Sequence, residues 1–151
     1  MSNVAGYFRG KPACSCLLKW LPVYEAELKR RGVIKNSLDV YQLIGGASAS
    51  AGTHSGGGAF DLGQTQAVAV AVARAMGADA TWVRRKSQGF DDDHLHGVLR
   101  GCPHNGPARY QIAAVDAGYN GLGAGGRGGK DDGPARYRRT WKQGIAWAKT
   151  K

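Results

Sequence analysis

The sequence predicts an α+β fold, a small antiparallel sheet of about four strands flanked by helices. Two observations carry this. Short stretches of β-branched and aromatic residues end at glycine turns, and between them run longer stretches in which apolar residues recur at helical spacing or alanine and valine dominate. With 151 residues, 42% hydrophobic and 21% charged, the chain has the composition of one globular domain. Its length suffices to bury roughly two-thirds of the unfolded surface around one core.

The elements follow in order. Leu17, Leu18, Leu21, Tyr24 and Leu28 fall at helical spacing, with Glu25, Glu27, Lys29 and Arg30 among them and Gly32 closing the run. Because proline lacks the N–H that a helix interior uses, the helix is expected over residues 22–31, with a separate turn or short helix before Pro22. Residues 39–44 read as a strand closed by Gly45 and Gly46, and residues 58–62 as a second strand leaving a glycine turn. The Ala- and Val-rich residues 64–76 predict a buried helix that stops at Gly77. Strands are expected at 80–84 and 94–99, the second after the turn-like Gly89-Phe90-Asp91-Asp92-Asp93.

A helix is expected over 107–117, with Pro107 in its first turn, and another over 134–149, carrying Trp141, Ile145 and Trp147. Gly-Pro-Ala-Arg-Tyr occurs at both Gly106 and Gly133, too short a match for a structural repeat and consistent with two helix starts. The 24 glycines concentrate in residues 45–63, 97–106 and 118–133, and the last group predicts a mobile loop. The domain therefore divides into an N-terminal helical segment (1–36), a core (37–117), the glycine-rich loop (118–133) and a C-terminal helix (134–151).

A net charge of +10 favours an anionic partner: nucleic acid, an acidic membrane or an anionic wall polymer. No stretch of about 18 apolar residues is present, so no membrane insertion is expected. The first residues lack the charged and apolar blocks of a signal peptide, which predicts synthesis in the cytoplasm. Cys14, Cys16 and Cys102 cannot all pair within one chain, and a reducing compartment favours free thiols. The Cys14-Ser15-Cys16 spacing is shorter than a usual zinc knuckle.

Chemistry concentrates at the histidines. There are four, His54, His94, His96 and His104, and most stand beside carboxylates or glycine turns. On an extended strand, residues two apart share a face, so His94 and His96 project together. A glycine turn between His54 and Asp61 can fold the first back toward the second. Asp61 sits between Phe60 and Leu62, and a carboxylate in so apolar a setting calls for a cation. Neutral imidazoles with a carboxylate are zinc donors, and a catalytic zinc site leaves one position open.

The pattern His54-x-x-Gly57-x-Ala59-x-Asp61, followed by His94-x-His96, resembles the D-alanyl-D-alanine carboxypeptidase-like zinc metallopeptidases. That group also includes lysostaphin-type enzymes and the zinc site of hedgehog proteins. The resemblance covers residues 40–99 and includes Ser50-Ala51-Gly52-Thr53 and Gly97-Val98-Leu99. It implies Zn2+ held by His54, Asp61 and His96, and hydrolysis of amide bonds in peptidoglycan peptides by a carboxypeptidase or an endopeptidase. It implies a general base at Asp93 or at His94; strand alternation favours His94. Gln42 and Ser50 become candidate substrate contacts, and Arg84, Arg85 and Arg100 are available for a substrate carboxylate.

A phage endolysin would reconcile a wall substrate with the absent signal peptide, since it acts on the wall after release from the cell. The positive charge then suits anionic wall polymers. Two rival readings stand beside this one. The Arg-Gly segment around Arg127, Tyr137-Arg138-Arg139, and the pairs Asp93-His94 and His104-Asn105 would suit a nucleic-acid-binding protein or metal nuclease. No nucleic-acid module is legible, and no stable complex with nucleic acid is expected. The other rival is a zinc-bearing wall-binding domain without turnover.

Overall fold

Residues 59–62 and 94–98 are buried at every position, which only strands covered on both faces can be. In the computed structural model, which describes residues 3–45, 53–122 and 128–151, these strands form the centre of an antiparallel sheet. Its order is β3 (Val40–Gln42), β4 (Ala59–Leu62), β6 (His94–Val98), β5 (Ala80–Arg84). An N-terminal hairpin, β1 (Gly6–Phe8) and β2 (Lys11–Ala13), forms a second, two-stranded sheet. Four α-helices complete the α+β fold among the described residues: α1 (Ser15–Arg30), α2 (Ala67–Ala75), α3 (Arg109–Asp116) and α4 (Trp141–Lys149). No helix among them is long and apolar enough to cross a membrane.

The strand period assigns the two faces different work. Phe60, Leu62 and Leu95 join the large core beneath α1 and α2, where Trp20 stacks on Phe60 with ring centroids 5.1 Å apart and on Tyr24 at 4.7 Å. Two polar tips in this core find acceptors, Trp20 Nε1–H on Met76 O (2.8 Å) and Tyr24 O–H on Ala69 O (2.7 Å). Ala59, Ala80, Trp82 and Val98 turn the other way and pack with Ala108 and Val115 from the α3 region. Asp61, His94 and His96 belong to that second face.

α4 lies against the end of α2 so closely that a Cβ at Gly144 would overlap the Met76 carbonyl. Gly144→Ala is expected to destabilise the fold by about 2–3 kcal/mol, because backbone lines the contact and cannot rotate away. Thermal denaturation should show a lower midpoint with the secondary structure unchanged at low temperature.

Three local expectations are corrected, and one hairpin is added to them. α1 begins at Ser15 and runs through Pro22. Pro22 faces solvent while Leu17, Trp20, Leu21, Tyr24 and Leu28 are buried on the opposite side, and that shared apolar face outweighs the roughly 3 kcal/mol cost of an interior proline. The hairpin of residues 6–13 lay unrecognised because its turn is Arg9-Gly10, both with positive φ (51° and 79°), where Asn-Gly would have been the recognisable signal.

The helix expected over 134–149 starts at Trp141. Residues 134–140 stay irregular because the Asp79 carboxylate takes the backbone N–H groups of Tyr137 and Arg138 (2.9 and 2.7 Å), and Arg74 binds the Pro134 carbonyl. The second Gly-Pro-Ala-Arg-Tyr copy is therefore no helix start, whereas the first opens a 3₁₀ turn (Gly106–Ala108) leading into α3. The described ends of the glycine-rich loop are tied together: Asn120 N–H donates to Gly129 O and Asp131 N–H to Gly118 O, 2.8 and 2.9 Å.

Candidate metal centre

The register of the sheet sets a row of polar side chains on the α3 face. Asp61 on β4 lies opposite His96 on β6, which lies opposite Trp82 on β5, and His94 lies opposite Arg84. Directly opposed residues share a face, so the inner strands deliver a carboxylate and two imidazoles to one place. His54 reaches them from the turn after β3. Its Nδ1 is 2.7 Å from Leu43 O, and its own carbonyl accepts Gly45 N–H at 3.2 Å.

The three groups His54, Asp61 and His96 converge. Asp61 Oδ1 is 3.1 Å from His54 Nε2 and 3.0 Å from His96 Nδ1, and the donor atoms of the three lie within 4.8 Å of one another. A tetrahedral ion with bonds of about 2.0–2.1 Å would hold its N and O ligands about 3.3–3.4 Å apart. His94 Nε2 approaches Asp61 Oδ1 at 3.6 Å and stands outside that group of three.

The outward nitrogens decide what the inward ones can do. Leu43 O accepts from His54 Nδ1, Asp92 O from His94 Nδ1 (2.8 Å), and Gln111 Oε1 from His96 Nε2 (2.7 Å). Each imidazole, assigned by these partners, spends its N–H outward and turns a lone pair inward. Burial pushes the His96 imidazole below its ordinary value against the pull of Asp61, which keeps it in the neutral, ligating form.

The result is a carboxylate faced by nitrogen lone pairs. His54 Nε2 is fully buried and, among the described residues, has no hydrogen-bond partner, although Asp61 is close. An orphaned lone pair beside an anion is what a cation resolves, so the donor set fits a zinc ion.

The other candidates fall elsewhere. Asp93 is half exposed and turned from the cluster, its carboxylate accepting Lys86 N–H at 2.9 Å and lying 3.5 Å from Arg85 Nη1. Gln42 sits opposite Asp61 in register, with its side-chain amide crowded against Gly45. Ser50 and Arg127 lie outside the described residues. Of the three arginines, Arg85 pairs with Asp93 and Arg100 with Asp116 and Asp79. Arg84 shares the face of His94, donating to Asn120 O at 2.9 Å with its guanidinium 4.6 Å over Trp82. Burial lowers its pKa to about 10, so it remains charged at neutrality.

Sequence reasoning missed Gln111, which orients His96 from α3. Its only signal is an amide that shares the buried face of that helix with Ala114 and Val115. It also missed a second convergence, of Cys14, Cys16, Cys102 and His104. No family model, curated protein or solved structure matches the chain.

Proposed function

We propose that the protein is a zinc-dependent peptidase hydrolysing amide bonds in peptidoglycan peptides, of the phage-endolysin kind. The observation that carries this reading is the inward set of imidazole lone pairs around Asp61, with the His54 Nε2 orphan among them. The resemblance of the His54-to-Asp61 and His94-x-His96 patterns to the D-alanyl-D-alanine carboxypeptidase-like enzymes supports the substrate class.

His54, Asp61 and His96 would hold the ion: two neutral donors and one anion leave it net positive. When bound, zinc supplies an acidified water and polarises the scissile carbonyl. His94 is the proton carrier. Its Nδ1–H is pinned by Asp92 O, so Nε2 is free to take a proton from water and return it to the leaving amine. Arg84 offers a fixed positive charge on the same face for a peptide carboxylate. The net charge of +10 would hold the protein on anionic wall polymers.

His94→Gln should lower kcat by about 10²- to 10⁴-fold with zinc content unchanged, because it removes the proton carrier and spares the ligands. Rate and metal content measured on one preparation check this.

The reading as a whole is tested by digesting purified peptidoglycan and identifying the released peptides by mass spectrometry. New amine and carboxyl termini that vanish with a chelator and return with zinc are expected. Zinc binding without new termini would replace the enzyme with a non-catalytic wall-binding protein.

A further inference from the structure

We propose that Cys14, Cys16, Cys102 and His104 form a second zinc site, structural in kind and separate from the His54–Asp61–His96 centre. The proposal does not depend on peptidase activity.

Two segments distant in sequence bring these groups together: the junction of β2 with the first turn of α1, which carries Cys14 and Cys16, and the loop beyond β6, which carries Cys102 and His104. Cys14 Sγ lies 4.0 Å from Cys102 Sγ, and His104 Nδ1 lies 3.7 Å from Cys16 Sγ and 3.6 Å from Cys102 Sγ. All four donor atoms fall within 4.8 Å of one another. A tetrahedral zinc with bonds of about 2.3 Å to sulfur and about 2.0 Å to nitrogen sets its ligands about 3.5–3.8 Å apart. The three separations above, 3.6, 3.7 and 4.0 Å, lie within about 0.3 Å of a coordination shell. They are too long for a disulfide, whose sulfurs stand about 2.05 Å apart.

The ligand count and burial indicate the kind of site. Three thiols and an imidazole fill the four positions of tetrahedral zinc and leave none for water, as structural sites do. Cys14, Cys16 and Cys102 are all buried, which suits a closed shell. Gly58 N–H donates to Cys14 Sγ at 3.3 Å, an outer contact that steadies a thiolate. Ordinary buried cysteines, acting as small apolar residues, would have no reason to gather around an imidazole nitrogen.

Its position suggests what it does. The Gly56-Gly57-Gly58 turn that joins His54 to Asp61 runs directly over the cluster. A Cβ at Gly57, where φ is +124°, would stand 3.1 Å from the Cβ atoms of Cys14 and His104 and 3.3 Å from Cys14 Sγ. One at Gly58 would stand 3.1 Å from Cys102 Sγ. The four side chains are the floor against which that turn is shaped, so an ion joining them would fix the spacing of His54 and Asp61 from beneath.

The test uses the full chain, purified in reducing buffer without chelator. Metal analysis is expected to find two zinc ions per chain in the wild type, and one in a His54→Ala/Asp61→Asn double variant. Replacement by cobalt(II) should give thiolate-to-cobalt charge-transfer absorption in the near ultraviolet, kept by that double variant and lost in Cys102→Ser. Titration with p-hydroxymercuribenzoate should release one zinc per three thiols, and the thermal midpoint should fall by more than about 10 °C.

Should Cys102→Ser fail to fold, the cobalt spectrum and mercurial titration of the wild type decide alone. No charge-transfer band, thiols that titrate without releasing zinc, or a Cys14–Cys102 disulfide in the mass spectrum would each overturn the proposal. A chain that shows the band yet cuts no peptide would keep this site and lose only the peptidase reading.

Discussion

On the proposed reading, Asp61→Asn is expected to abolish zinc retention at the His54–His96 centre and to lower peptide hydrolysis by at least about 10³-fold, the scale of losing a key electrostatic contact. Asparagine keeps the shape of the side chain and removes its charge. The inward lone pairs of His54 and His96 then face a neutral amide, and a divalent ion loses the one anion that offsets its own desolvation. The fold should survive. With His96 neutral, an amide leaves no unpaired charge behind, and it can donate to one imidazole where the carboxylate could not. Metal analysis with the rate of peptide release separates this outcome from general unfolding, since the thermal midpoint of the metal-stripped variant should match that of the metal-stripped wild type. Gln111→Ala makes the graded comparison. It removes the acceptor that orients His96 Nε2–H together with a long donation to Gly121 O (3.4 Å), and a loss of metal affinity of about 10- to 100-fold is expected.

The strands were the most legible part of this chain because their period is short and their ends are marked by glycine. The strand at Ala80–Arg84 coincides with the expected 80–84, and the one at His94–Val98 lies within the expected 94–99. The gathering of His54, Asp61 and His96 could be anticipated from a local rule, strand alternation, joined to the resemblance of two short motifs.

What escaped notice depended on tertiary partners. Pro22 looked like a helix start because an interior proline is costly, and only the buried face of α1 reveals why it is tolerated. At the start of α4 the signal is local. Thr140 Oγ1 accepts Gln143 N–H while Gln143 Oε1 accepts Thr140 N–H, a capping box that Thr-x-x-Gln encodes. The cysteine cluster shows the same limit. Cys14-x-Cys16 alone is a poor zinc motif, and Cys102-x-His104 resembles none, but the fold sets the two pairs side by side.

The second large effect is expected at a buried ion pair beside the candidate metal centre. Asp131→Ala should destabilise the fold by about 3–5 kcal/mol, the range for stripping one partner from a buried ion pair. Arg74 is fully buried, and all five of its N–H groups are used: two on Thr81 O, one on Pro134 O and two on the Asp131 carboxylate at 2.8 and 3.0 Å. Removing Asp131 leaves a guanidinium charge inside the protein with only carbonyls around it. It also frees the indole N–H of Trp82, which donates to the same carboxylate at 2.8 Å and lies opposite His96 in the sheet. Loss of order should therefore spread toward the metal centre, and denaturant unfolding should show a lower midpoint together with reduced zinc affinity. A double substitution, Arg74→Met with Asp131→Leu, should recover much of the stability, because it removes both charges instead of stranding one. Acid provides an independent check. Burial tends to raise the Asp131 carboxyl, but hydrogen bonds from Arg74 and Trp82 prevail and its pKa in the folded protein lies below the ordinary value. The contribution of the pair is thus complete above the unfolded carboxylate pKa of about 4 and fades as pH falls through the lower folded value. Wild type and Asp131→Ala should accordingly differ most near neutrality and converge in acid, whereas Gly144→Ala, which touches no charge, should keep a constant offset from wild type across the same range.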